Sequence, residues 1–350
     1  MNNRPNDCNG GFDIVIGNPP YGAKLSDDTK KCCKKNYITA QTIKDVQKGS
    51  MDSFSLFIER GFTLLKVGGV STFIVPLSVT ASDAMSGLHK LLTDNCEKIW
   101  ISSYGDRPKR IFESAEQQVA IIQFIKTNTK SLQILTTSIN KRYSSDSLWL
   151  LLDNLKFTNS NGLLRNGRIP KIGTEIEQKI LSKLFSISST LQDVYSENGE
   201  PIYYRKAGGR YYKIITKLPT NSSAEGSLTI EKKYQDLVGA LLSSTLFYWF
   251  WLIHSDWHNL RSTELEMMPF PYRNFTDDVL NLISKNYDSY LFDLKEKSQI
   301  TKTGLRCYFA RKSKHLIDQL DDIICPLYGL TPEETEFIKN YEIEFRVDDE

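Results

Sequence analysis

Residues 12–22 read FDIVIGNPPYG, and the fold follows from how this stretch is punctuated. Phe12 to Ile16 is a short β-branched run closed by Gly17 and a double proline, which reads as a buried parallel strand ending in a tight loop. The loop therefore lies at the C-terminal end of a strand. Downstream, Lys24 to Lys48 is polar, lysine-rich and without clear periodicity, as expected of a surface excursion. Met51 to Lys66 puts Phe54, Phe57, Ile58, Phe62 and Leu65 on one helical face and meets a stop signal at Gly68-Gly69. Val70 to Val75 reads as a strand, Ser82 to Thr93 as a helix, and Lys98 to Tyr104 and Gln118 to Lys126 as two further strands. Strand, helix, strand, helix, strand is the α/β pattern of a parallel, helix-flanked sheet.

The rhythm changes beyond about residue 145. We expect a partial doubly wound sheet over 1–145, an α+β domain over 146–300 and a helical acidic tail over 301–350. Among 350 residues, hydrophobic residues make up 40%, charged residues 25%, and the mean hydropathy is −0.36, which excludes disordered and collagenous classes. Six cysteines without a CxxC pair suggest neither a disulfide framework nor zinc. A reducing, cytoplasmic compartment is expected, since MNNRPNDCNGG has no apolar signal region. Leu237 to Ile253 is 17 uncharged residues, which we read as a buried or interfacial helix rather than a membrane span. Residues 318–350 carry 11 acidic residues against Lys339 and Arg346, so the body before them is basic by 42 to 31. That body suits a polyanion such as nucleic acid, or is an ordinary solvated surface.

Asn18-Pro19-Pro20-Tyr21 is the most informative tetrapeptide; chance alone puts one of this type in roughly one chain per thousand. The prolines fix the backbone so that the Asn18 side-chain oxygen and the Pro19 carbonyl face one point, with the flat ring of Tyr21 beside it. Such an arrangement grips a planar amino group. The lone pair of an exocyclic amine such as adenine N6 is delocalised into its ring. Two acceptors drawing on its protons push the nitrogen toward tetrahedral geometry as it attacks an electrophilic methyl, with no cysteine or histidine nucleophile. The plain alternative is a Pro-Pro turn with an asparagine cap.

FDIVIGNPPYG resembles motif IV of amino-group methyltransferases that use S-adenosylmethionine. The likeness continues through SFSLFIERGFTLLKVGGVSTFIVPLS (53–78), RPKRIFESAEQQVAIIQF (107–124), STLFYWFWLIHSDWHNLRSTELEMMPFP (244–271) and LIDQLDDIICPLYGLTPEETEFIKNYEIEFR (316–346). Together these resemble the C-terminal part of large adenine-specific DNA methyltransferases of the type IIG restriction-modification and phage-exclusion kind. The resemblance implies that Asn18, Pro19, Pro20 and Tyr21 are the catalytic residues and hold a flipped adenine, Asn18 and Pro19 accepting from its N6 and Tyr21 stacking on the base. It also implies a C-terminal target-recognition domain, S-adenosylmethionine as cofactor and double-stranded DNA as partner.

The family's glycine-rich cofactor loop lies well upstream of NPPY, and this chain has 17 residues there. Gly68-Gly69 and Gly208-Gly209 are better read as turns than as GxGxxG loops. We therefore expect a component that is inactive without a cofactor lobe, completed by a separately encoded N-terminal partner, or else a truncated relic. The NPPY tetrapeptide is shared with protein-glutamine and RNA-guanine methyltransferases; the roughly 330 residues after it favour DNA. A cytosine-C5 enzyme needs Pro-Cys, and Cys325-Pro326 runs in the reverse order. The alternative from another class is a non-catalytic DNA-binding specificity module.

Tyr203, Tyr204, Arg205, Lys206, Arg210, Tyr211, Tyr212 and Lys213 interleave aromatics with cations, suiting either phosphate contact or a β-hairpin with one solvated face. Arg107, Lys109 and Arg110 are further candidates for phosphate contact, or a surface cluster. His254 and His258 lie four apart but lack the glutamate of HExxH, and Glu231-Lys232-Lys233 lacks an aspartate partner, so no metal site is expected.

Overall fold

The computed structural model describes residues 10–44, 46–112, 117–129, 131–143, 147–208, 211–220, 222–302 and 304–347. It divides into two compact units, Met1–Gln178 and Lys179–Glu350.

The first unit holds strands β1 (Phe12–Gly17), β2 (Leu65–Pro76), β3 (Cys96–Tyr104), β4 (Val119–Lys126), β5 (Gln133–Asn140) and β6 (Thr158–Asn159). Its helices are α1 (Asp27–Asn36), α2 (Ser53–Leu64), α3 (Ser78–Ala81), α4 (Ser86–Asn95) and α5 (Leu148–Asp153); the division falls inside α6 (Glu175–Phe185). The α/β class is as expected. One six-stranded sheet runs in the order β1-β2-β4-β3-β5-β6. It is mixed rather than parallel: β1 pairs parallel with β2 and β3 with β5, whereas β4 lies antiparallel to both β2 and β3.

On one face of the sheet Phe73, Val75, Ile99, Ile101, Ile122 and Phe124 pack with Phe54 and Ile58 of α2 and Leu88 and Leu92 of α4. Each such side chain contributes about 1.5–3 kcal/mol on burial. Phe57, expected on the apolar face of α2, is instead 50% exposed. The helix also stops earlier than Gly68-Gly69. Leu65 already opens β2, because the following VSTFIV run is committed to the strand. Gly68, with φ +80, serves an irregularity where the β1–β2 register jumps from Phe12↔Leu65 to Ile14↔Val70.

The expected boundary near residue 145 lies inside the first unit. β5 adds to β3, β6 adds to β5, and Thr136 Oγ1 donates to the Ile172 carbonyl at 2.8 Å. The Glu177 carboxylate then accepts from Gly173 N (2.9 Å), Thr174 N (3.1 Å) and Ser138 Oγ (2.7 Å), stitching the chain to the sheet.

The second unit contains a three-stranded antiparallel sheet ordered β8 (Ile215–Thr216), β7 (Tyr195–Arg205), β9 (Glu225–Ile230), and a hairpin of β10 (Gln299–Ile300) with β11 (Arg306–Cys307). Its helices are α7 (Gln235–Ser243), α8 (Thr245–His254), α9 (Ser262–Glu266), α10 (Asp277–Glu296), α11 (Lys314–Leu327) and α12 (Pro332–Lys339). The apolar run 237–253 is two helices meeting at 67°, not one, and every side chain of α8 is buried. Ser244 breaks the run: its Oγ accepts from Phe247 N at 3.1 Å, and the buried carboxylate of Asp321 accepts from Thr245 N at 2.9 Å and Leu246 N at 3.2 Å. Burial pushes that carboxyl up to about 6. Among the described residues no single helix is long and apolar enough to cross a membrane.

Residues 304–347 do not stand apart as the tail expected over 301–350. α11 packs on α8 and α10, and Arg346 is fully buried, its guanidinium 4.6 Å from the ring centres of both Tyr212 and Tyr248. The capping box Thr331–Glu334 with Pro332 starts α12 as its sequence predicts.

Candidate functional site

Register places the NPPY loop among its neighbours. Gly17 is level with Phe73, Pro76 with Val119, Tyr104 with Val119, and Tyr104 with Asn140. The residues following β1, β2, β3 and β5 therefore all leave at one end of the sheet, the end where open α/β sheets take ligands. Phe73 sits beneath this exit. A Cβ on Gly17 or on Gly61 of α2 would stand 2.6 Å from its ring, so both backbones approach the ring as only glycine permits.

Two hydrogen bonds hold the loop and a third holds the strand before it. Ser71 Oγ donates to the Val15 carbonyl at 3.1 Å, Ser53 Oγ donates to the Pro20 carbonyl, and Tyr21 Oη donates to the Ile74 carbonyl at 3.0 Å. Burial pushes the Tyr21 phenol above its usual range, so it stays a donor. Pro19 is buried, whereas the Asn18 side chain is exposed and makes no hydrogen bond with a described residue. The turn is thus held by its neighbours, and the amide at its tip remains available. Ser53 and Ser71 carry no motif of their own; only their pairing partners show what they do.

His89 of α4 braces the segment leaving β2, its Nε2 donating to the Val79 carbonyl at 2.6 Å. Burial drives this imidazole down to about 4. The unfolded chain takes up a proton near 6.5 that the folded chain refuses until about 4, so stability falls across that window on acidification, by on the order of 3 kcal/mol in full. We expect the melting temperature of His89→Gln to lose less than that of the parent between pH 7 and pH 4. Parallel curves for the two would contradict this assignment.

Arg107 is exposed and Lys109 and Arg110 are half-buried in the segment after β3. Lys109 N donates to the Arg142 carbonyl at 2.8 Å and Arg142 Nη1 to the Arg110 carbonyl at 3.3 Å, bringing Lys141 and Arg142 into the same cluster at the loop end of the sheet. Sequence reading missed these two because they follow a different strand.

In the second unit the basic aromatic segment disperses. Arg205 and Lys206 are exposed and Tyr203 is half-buried, while Tyr204 is buried. Arg210 lies outside the described residues. Tyr211 stacks on Phe345 and the Tyr212 hydroxyl donates to the Arg346 carbonyl. Lys213 is not offered to a phosphate: it is 5% exposed, its ammonium 3.9 Å from the Trp251 ring centre and donating to the Gly208 carbonyl at 3.1 Å. His254 is buried with Nδ1 donating to the Phe250 carbonyl at 2.9 Å, and His258 is exposed beyond the helix end. Among the described residues no three His, Cys, Asp or Glu side chains group as metal ligands.

Comparison with known proteins adds the family context. Residues 3–112 match the family model "Eco57I restriction-modification methylase". That span contains the whole NPPY loop, α2 and β2. The type II methyltransferase M.HincII of Haemophilus influenzae is 30% identical over 142 residues, covering 39% of this chain and 27% of that enzyme. The type II restriction enzyme and methyltransferase RM.Eco57I of Escherichia coli is 24% identical over 209 residues, 57% of this chain and 19% of that protein. The matched relatives are thus methyltransferases of restriction-modification systems, and the chain spans about a quarter of their length or less. Among solved structures, the type IIL restriction-modification enzyme MmeI in complex with DNA shares the fold with a TM-score of 0.55 at 12% identity, over 95% of this chain and 56% of that one.

Proposed function

We propose that this chain carries the base-acceptor loop and the target-recognition unit of an adenine-N6 DNA methyltransferase of a restriction-modification or phage-defence system. The observation that carries the reading is the free, exposed amide of Asn18 at the tip of a turn that two hydrogen bonds and a buried proline hold still. In this reading the Asn18 side-chain oxygen and the Pro19 carbonyl accept from N6 of an adenine turned out of the duplex, and Tyr21 stacks on its ring. Holding both protons in fixed directions favours the tetrahedral nitrogen over the planar one. The basic group of Arg107, Lys109, Arg110, Lys141 and Arg142 meets the phosphates flanking that base, and Arg205 and Lys206 meet phosphate from the second unit.

S-adenosylmethionine is the proposed methyl donor. The described residues do not fit it: Gly22 is the one glycine with open space around its Cβ position in the β1–α1 turn, and no second glycine stands beside it to admit a cofactor. The pocket is proposed to belong to a methyltransferase segment outside these residues, a separately encoded fragment being one form of it, and the chain to be inactive without it. Support comes from the bare side of β1. Phe12, Ile14 and Ile16 alternate onto one face and are 53%, 64% and 78% exposed, while Val15 packs on the other. Three neighbouring apolar side chains left in water are what a covering layer would bury.

Nucleoside analysis tests the reading. DNA from cells carrying this reading frame with its flanking frames is digested and the methylated nucleosides are measured by mass spectrometry. N6-methyladenine above the level in cells deleted for this chain is expected; methylation confined to cytosine refutes it.

A further inference from the structure

The second unit contains a cleft of about 360 Å³ between the β7–β9 sheet and the β10–β11 hairpin. It is walled by Tyr203 and Arg205 of β7, Glu225 of β9, and Arg306, Tyr308 and Phe309 of the hairpin and the residues after it. Sequence reading divided these residues between a recognition domain and a tail, and pairing alone brings them together. Three aromatic rings line the cleft, Phe309 with the Lys312 ammonium 5.2 Å from its ring centre. Two guanidinium groups offer donors to an anion. Arg205 Nε donates to the Ala207 carbonyl at 2.7 Å and Arg306 Nη1 to Ser298 Oγ at 2.6 Å, so each head is oriented by one of its five donors.

The carboxylate makes the cleft selective. Glu225 Oε2 accepts from Thr220 N at 2.6 Å and from Thr220 Oγ1, which fixes the group, while Oε1 makes no hydrogen bond with a described residue. A fixed carboxylate accepts and does not donate. The hydroxyls of Tyr203 and Tyr308 make no hydrogen bond with a described residue.

We propose that this cleft receives one nucleotide of a DNA strand and reads its base, independently of the base held at NPPY. The rings flank the base, Arg205 and Arg306 hold its phosphate, and Glu225 accepts from an exocyclic amine. Adenine, cytosine and guanine each carry an exocyclic amine for that carboxylate, whereas thymine carries none and turns its carbonyl oxygens to it acceptor to acceptor. The polymer is DNA on the strength of the proposed function, on which this inference rests; a free mononucleotide carries the same chemistry, and the test separates the two.

Cys307 supplies the probe, an exposed free thiol on the cleft wall. Its alkylation by N-ethylmaleimide is followed by peptide mass spectrometry in the full-length chain, alone, with a saturating double-stranded DNA pool, and with AMP or CMP at millimolar concentration. DNA is expected to slow the reaction about tenfold or more and the mononucleotides much less. Glu225→Ala, checked for folding by circular dichroism, is expected to bind the pool as before while losing about tenfold discrimination against thymine at one position of the enriched site. DNA bound with Cys307 unprotected overturns the cleft assignment and leaves the proposed function standing. Protection by mononucleotides and not by DNA overturns it in favour of a small-molecule site. No DNA binding by the folded parent chain removes the proposed function and this inference together.

Discussion

Asn18→Ala is expected to lower methyl transfer to DNA by about 10²–10³-fold in the complete enzyme, the effect of removing one preorganised polar contact to the reacting group. DNA affinity should stay within about twofold, because binding to the duplex is dominated by phosphate contacts that this substitution leaves in place. The side chain is exposed and has no hydrogen bond with a described residue to lose, so the fold has no stake in it. Single-turnover transfer of labelled methyl groups, alongside equilibrium binding, separates the two quantities. Loss of affinity in proportion to rate would mean that Asn18 acts in docking; an unchanged rate would mean that the loop is structural.

The largest stability effect is expected from Phe73→Ala. Phe73 is 3% exposed and supports both the exit of β1 at Gly17 and the passage of α2 at Gly61. Truncating a buried phenylalanine costs about 3–5 kcal/mol, and here the two glycine backbones above the ring have no side chains with which to fill the space. Urea denaturation of the first unit should move its midpoint down accordingly, with methyl transfer falling as the loop loses its floor. A midpoint equal to that of the parent would contradict the packing described for Phe73.

The loop and its strand were legible from eleven residues, because strand, glycine and double proline act locally and tertiary context had only to leave them alone. What was not legible depended on neighbours. FDIVI reads as buried since its composition is that of a core strand, yet its Phe12–Ile16 face is bare. The reversal of β4 escaped notice because a hydrophobic run has no direction. Ser244 breaks the apolar helix through a carboxylate 77 positions away, Asp321, which no window on residues 237–253 contains. Lys213 looked like a phosphate ligand because a cation beside tyrosines has the same composition whether it faces DNA or lies on Trp251. The boundary moved from 145 to 178 because β5 and β6 complete the first sheet by pairing with strands that no local window contains.

The most direct test of the central claim, that this chain engages DNA through its own basic surfaces, is fluorescence anisotropy of a labelled double-stranded DNA pool titrated with the purified chain at several salt concentrations. Affinity is expected to fall steeply and linearly with the logarithm of salt, with a retained component that enriches one sequence from the pool. A folded chain that leaves the anisotropy unchanged at low salt would contradict it.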